Sequence, residues 1–178
     1  MSNRATGRNK LSLDALVLRD ATESDANGIS ALRTAAAEDL TQRYGRGHWS
    51  SETTESGVLR ALKESRILVA LLSNTVVGSF RLATKKPWAI DRDMLTPVKR
   101  PLYLLDMAVA PAHQRHGIGR ILLDEATRIG RDWPANSICL DAYDAPAGAG
   151  GFYAKCGYRE IGRKTYHGAP LVYYELLL

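Results

Sequence analysis

A strand that stops at a proline, passes through a basic, glycine-bearing turn and enters a helix leaves this chain few folds to adopt. Leu102-Tyr-Leu-Leu-Asp-Met-Ala-Val-Ala110 reads as a strand, Pro111 ends it, and the loop Gln114-Arg-His-Gly-Ile-Gly-Arg120 follows. Ile118, Ile121, Leu122, Ala126 and Ile129 then recur at helical spacing and make one apolar stripe. Trp133-Pro134 closes that helix, because proline disfavours helix at the residue before it.

The turn has the makings of an anion site. Gly117 and Gly119 lack Cβ, so a ligand can approach the backbone closely. The first N–H groups of a helix have no intrahelical partner, and with the helix dipole they favour phosphate. Arg115 and Arg120 add full charges whose planar forks suit phosphate oxygens. The glycines would also serve chain geometry alone in an ordinary strand–turn–helix connection. A P-loop string GxxxxGK[ST] does not occur, and Leu122 stands where a dinucleotide fingerprint needs its third glycine.

The rest of the chain reads as β, α, α, three strands, α, β, α, β, β. Leu16–Arg19 is a short strand, and Thr22-x-x-Asp25 is a capping box for a helix with Ile29, Leu32, Ala36 and Leu40 on one face. Ser50 or Ser51 caps a second helix through Ser65, with Val58, Leu59 and Leu62 inward. Ile67–Leu72 and Thr75–Thr84 form a hairpin around Ser73-Asn74. Residues 85–100 are a long loop, of a kind often functional or mobile. Ser137–Tyr143 is a buried strand, Ala147–Lys155 a short helix, and Tyr158–Arg163 and Leu171–Leu177 are closing strands around His167-Gly168. Strands and helices mixed in this order, with one β-α-β crossover, predict a mixed α/β sheet with helices on both faces.

At 178 residues the chain suits one domain, read as residues 13–178 behind a flexible lead-in over residues 1–12. That polar lead-in lacks the apolar segment of a secretory signal, and no apolar run reaches membrane-spanning length. Cys139 and Cys156 read as unpaired thiols, in keeping with a cytoplasmic protein. The net charge of +5 is scattered, without a basic run, finger spacing or RNA-binding aromatic signature, which argues against a nucleic-acid partner. His48, His113, His116 and His167 are isolated, so no metal site is expected, and there is no G-x-S-x-G elbow.

Gln114-Arg-His-Gly-Ile-Gly119, directly after a strand ending Met107-Ala-Val-Ala-Pro111, resembles the acetyl-CoA signature [QR]-x-x-G-x-[GA] of the GNAT superfamily of N-acetyltransferases. A second match lies downstream, where Gly151-Phe-Tyr-Ala-Lys-Cys-Gly-Tyr158 resembles the FYxKxGF element with Tyr158 as its last aromatic. Leu16–Asp25 is similar to the family's opening, while residues 85–100 match poorly.

The resemblance implies a central, mostly antiparallel twisted sheet of six to seven strands flanked by about four helices. It implies acetyl transfer from acetyl-CoA to a primary amine, of a small molecule or of a peptide or protein, by direct attack in a ternary complex. Gln114, Arg115, His116, Gly117, Ile118, Gly119 and Arg120 would receive the cofactor's pyrophosphate, and the backbone of Met107, Ala108 and Val109 its thioester. A fixed backbone donor there would stabilise the oxyanion that attack creates. Tyr153 aligns with the family's general acid, or else simply packs its ring.

An alkylamine is almost wholly protonated at pH 7, so a base or a chain of waters must free it. Many members carry a glutamate on the strand before the signature. Here Asp106 is the only carboxylate in that stretch, as base or as a structural group, with Asp141, Asp144 and His48 as weaker candidates. Pro146 replaces a cofactor-contacting asparagine common among relatives.

The acceptor would be set by residues 40–56, 85–100 and 165–169, where Tyr44, His48, Trp49 and Trp88 either meet an aromatic or hydrophobic amine or pack as surface rings. The resemblance is compatible with a homodimer. The second reading is an acyl-CoA-binding sensor or regulatory module without turnover, kept open by the missing glutamate and by Pro146.

Overall fold

The computed structural model describes residues 13–178, and the expectation of a flexible lead-in over residues 1–12 lies outside them. Its strands are β1 (Val17–Asp20), β2 (Arg66–Leu72), β3 (Thr75–Ala83), β4 (Pro101–Val109), β5 (Ser137–Tyr143), β6 (Arg159–Tyr166) and β7 (Ala169–Leu177). Its helices are α1 (Ala26–Tyr44), α2 (Glu55–Glu64), α3 (Ile118–Asp132) and α4 (Gly150–Lys155). The seven strands make one sheet in the order β1-β2-β3-β4-β5-β7-β6. Every neighbouring pair is antiparallel except β4 and β5, the two strands that flank α3 in the chain.

Alternation along the strands divides the core between two faces. Ile138, Leu140 and Tyr174 meet Leu122, Ala126 and Ile129 of α3 and Tyr153 of α4 on one face. On the other, Ile67, Val69 and Leu71 meet Ile29 of α1 and Val58 of α2. Cys139, Tyr103 and Tyr173 share that second face with Ile90 of the long loop.

Two local expectations are corrected. The second helix starts at Glu55 rather than after Ser50 or Ser51, because Thr54 is the residue whose side chain accepts from the Gly57 N–H, at 3.2 Å. α4 starts at Gly150 rather than Ala147. Pro146 sits in a turn closed by Gly148 N–H to Ala145 O at 2.8 Å, and glycines at 148, 150 and 151 give little helical drive. Residues 85–100 are the expected loop, anchored to the sheet at a few points. Ile90 is fully buried, the Tyr173 hydroxyl donates to Ala89 O at 2.8 Å, and the buried Glu175 carboxylate accepts from Thr96 N–H and Oγ1–H at 3.2 and 2.6 Å.

The turn before α4 is fitted so closely that a Cβ at Gly148 would stand 1.8 Å from Tyr143 O, whereas one at Gly151 meets nothing within 4 Å. Gly148→Ala is therefore expected to lower the unfolding free energy by about 3 kcal/mol. Gly151→Ala should raise it by about 0.5–1 kcal/mol. Urea unfolding of both variants checks the pair, and equal effects would contradict it.

Candidate active site

β4 and β5 pair only from Pro101–Tyr103 against Ser137–Cys139. Beyond that point each strand keeps its outer neighbour, and a gap opens between them. A bulge helps to create the gap. Asp106 and Met107 together oppose Phe80 of β3, and Asp106 takes φ +52°. Such an insertion bends its strand and strengthens the local twist.

The turn between β4 and α3 stands at the mouth of this gap. Arg115 (φ +64°) and Gly117 (φ +92°) adopt left-handed backbone on either side of His116, an alternation that turns successive N–H groups toward one side. None of the N–H groups from Arg115 to Arg120 has a backbone acceptor among the described residues, and Ile121 N–H, donating to Gly117 O at 3.1 Å, is the first that does. Six free amides at the start of a 15-residue helix fit a diphosphate.

The side chains of this stretch have other tasks in part. Gln114 Nε2 donates to Val109 O at 3.1 Å and ties the turn to β4. Ile118 is buried under the sheet, and Arg120 Nη2 donates to Lys155 O at 2.8 Å, joining α3 to α4. Gln114 is occupied at its backbone as well, its N–H donating to Pro111 O at 3.3 Å, so Ile118 and Arg120 offer chiefly their backbone, while Arg115 and His116 are exposed. A Cβ on Gly119 would come within 3.0 Å of the Phe152 ring, so this glycine lets α3 and α4 approach.

Tyr153 on α4 is buried among Phe152, Tyr158 and Tyr174, with ring centroids 5.4, 6.0 and 6.0 Å away. Its hydroxyl reaches β4 and lies 3.9 Å from Met107 Sδ. Burial pushes its pKa well above that of an ordinary phenol, and the Asp141 charge adds to the rise. The group stays protonated at any physiological pH.

Asp141 lies on β5 beyond the last residue paired with β4, on the face it shares with Cys139 and Tyr143. Burial raises its carboxyl above the usual aspartate range, with the Asp106 charge as a further cause. Asp106 itself is engaged by two guanidiniums. Arg33 Nη1 of α1 donates to its Oδ2 at 3.4 Å, and Arg81 Nε of β3 lies 3.0 Å from the same oxygen without hydrogen-bond geometry. Asp144 pairs with Arg163, at 3.0 Å.

At the end of β5, the Tyr143 hydroxyl donates to His48 O at 3.0 Å, the His48 ring stacks on it at 6.5 Å, and Trp49 meets it edge-on at 5.8 Å. His48 and Trp49 thus close the α1–α2 loop onto β5, whereas Trp88 is 86% exposed.

Arg33 and Arg81 were not among the residues singled out from the sequence. A signal was present: Arg33 lies four residues after Ile29 and three before Ala36, inside the apolar stripe of α1, where an arginine needs a buried partner.

A mixed sheet that splays at its one parallel junction stands here beside a helix start with free amides and a buried phenol. The Acetyltransferase (GNAT) family matches residues 33–158. The chain belongs to the GNAT family of acetyltransferases, acetyl-CoA-dependent enzymes that transfer to nitrogen.

Solved structures of similar fold include a GCN5-related N-acetyltransferase from Rhodopseudomonas palustris, with 22% identity over 93% of this chain and 97% of that one and a TM-score of 0.71. The ribosomal-protein-alanine N-acetyltransferase of Brucella melitensis has 21% identity over 91% and 99%, with a TM-score of 0.69. Salmonella typhimurium yncA, solved with its cofactor acetyl-CoA, has 18% identity over 92% and 94%, with a TM-score of 0.67. No curated protein matches the chain by sequence. No helix among the described residues is long and apolar enough to cross a membrane.

Proposed function

We propose that this chain acetylates a primary amine by direct attack in a ternary complex at the gap between β4 and β5. The observation that carries the reading is the Tyr153 hydroxyl standing against Met107 on the open edge of β4, next to the free amides of the turn. Bound acetyl-CoA supplies the acetyl group and a thiolate leaving group. The N–H groups from Arg115 to Arg120 hold its pyrophosphate, with Arg115 and His116 at the rim. Backbone N–H of Met107, Ala108 or Val109 receives the thioester oxygen and stabilises charge that grows on it during attack. Tyr153 donates the proton that the departing sulfur takes up.

For the amine, Asp141 is the carboxylate whose surroundings suit a base. It borders the gap, and its raised pKa brings it closer to the working pH. Asp106, the carboxylate nearest the signature in the sequence, orients the bulge through Arg33 and Arg81. The two free cysteines support a cytoplasmic setting, and the family resemblance a homodimer, which sedimentation velocity reads directly.

Incubating the protein with acetyl-CoA and a panel of amines, and following free thiol, tests the reading. Thiol release that depends on an amine is expected. Binding of acetyl-CoA without release from any amine would support a sensor or regulatory module instead.

A further inference from the structure

Acetyl transfer leaves one feature of the gap unused. The cluster on the α1 face sets two guanidiniums, Arg33 and Arg81, against the single carboxylate of Asp106. The Arg33 side chain is only 10% exposed, yet its Nε and Nη2 have no acceptor among the described residues. Among the described residues Arg81 Nε makes no hydrogen bond either, and Ser79, fully buried two residues earlier on the same side of β3, finds no partner for its Oγ. One arginine suffices to pin one aspartate. The second guanidinium, 21% exposed, therefore leaves the cluster with a surplus positive charge and unused donors that a further anion would complete.

The place of the cluster limits what that anion belongs to. Asp106 directly precedes Met107, the first of the residues assigned to the thioester. Consecutive Cα atoms are about 3.8 Å apart, so the residue that holds both guanidiniums is the immediate neighbour of the first thioester residue. An acceptor that reaches both points needs its amine and its negative group separated by few bonds. A guanidinium's planar fork matches a carboxylate.

We propose that the acceptor is a small amine carrying its own carboxylate, as a free amino acid does, and that Arg33 and Arg81 receive that carboxylate. This rests on the gap being the acetyl-transfer site. Arg33 and Arg81 are then specificity residues that act on binding of the acceptor, while Tyr153 and Asp141 move the protons.

The test uses the products, so that it does not depend on turnover. The protein is first titrated calorimetrically with CoA. The CoA-loaded protein is then titrated with N-acetylalanine, N-acetylleucine and N-acetylphenylalanine, each beside its C-terminal amide. At least one acid is expected to bind about tenfold or more tightly than its amide, the weight of a charge-assisted pair. Arg33→Gln should reduce that preference to about threefold or less with CoA affinity unchanged. Arg81→Gln repeats the measurement should the buried Arg33 site fail to tolerate change.

Acids that bind no more tightly than their amides, or that do not bind at all, overturn the proposal and leave acetyl transfer standing. Failure of CoA itself to associate overturns both. Thiol release with neutral peptides as fast as with free amino acids would move the acceptor to peptides and also overturn it.

Discussion

Replacing Asp141 by asparagine is expected to lower kcat by about 10²- to 10⁴-fold, the usual weight of a positioned acid–base group, while raising the melting temperature at neutral pH. The two effects share a cause. Burial, with the Asp106 charge behind it, holds the folded-state pKa of Asp141 above that of the unfolded chain. The unfolded chain therefore ionises this group more readily. The stability it contributes is complete below about pH 4, the unfolded value, and is lost as pH rises through the folded value. Once ionised, the buried carboxylate is a burden on the fold, which asparagine removes together with the base.

The wild-type kcat/KM should fall on the acid side with an apparent pKa above about 4, and that limb should vanish in Asp141→Asn. A variant with unchanged kcat would return the base role to Asp106 or to water.

Tyr153→Phe should lower kcat by about 10²-fold or more and leave acetyl-CoA affinity within about twofold. The substitution keeps the ring packed against Phe152, Tyr158 and Tyr174 and removes only a hydroxyl whose neighbour is the Met107 sulfur. Denaturant stability should therefore change by less than about 1 kcal/mol. The raised phenol pKa adds a check at high pH. Stability contributed by the buried neutral phenol is full below about pH 10, the unfolded value, and declines as pH rises through the folded value, so Tyr153→Phe should resist alkaline unfolding better than wild type. Equal turnover by the two proteins would reduce Tyr153 to a packing residue.

Elements whose local signals agree with their burial were legible in the sequence. The order of strands and helices, the Ser73-Asn74 hairpin and the span of α3 follow from periodicity and punctuation, and the structure keeps them. Boundaries were less legible where several residues compete for one cap, as with Ser50, Ser51 and Thr54. The start of α4 depends on how closely Gly148 and Gly150 approach Tyr143 and Tyr174, which are distant contacts no local pattern carries.

The site shows the same division. The glycine-bearing turn from Gln114 to Arg120 is a contiguous string, so it can be read directly. The Arg33–Asp106–Arg81 cluster joins residues from α1, β4 and β3, and only the folded chain assembles it. The buried environment that raises Asp141 likewise exists only once β5 is packed beside β7, whereas the sequence offered merely one carboxylate among several.

On the proposed reading, the amides from Arg115 to Arg120 grip the diphosphate of coenzyme A. Gly117→Asn and Gly117→Asp separate charge from shape, because both side chains tolerate the left-handed backbone at φ +92° and differ in one negative charge. Calorimetric titration with acetyl-CoA should find the Asp variant weaker than the Asn variant by about tenfold or more, with the gap narrowing as salt is added. Equal affinities for the two variants would contradict a diphosphate at this turn.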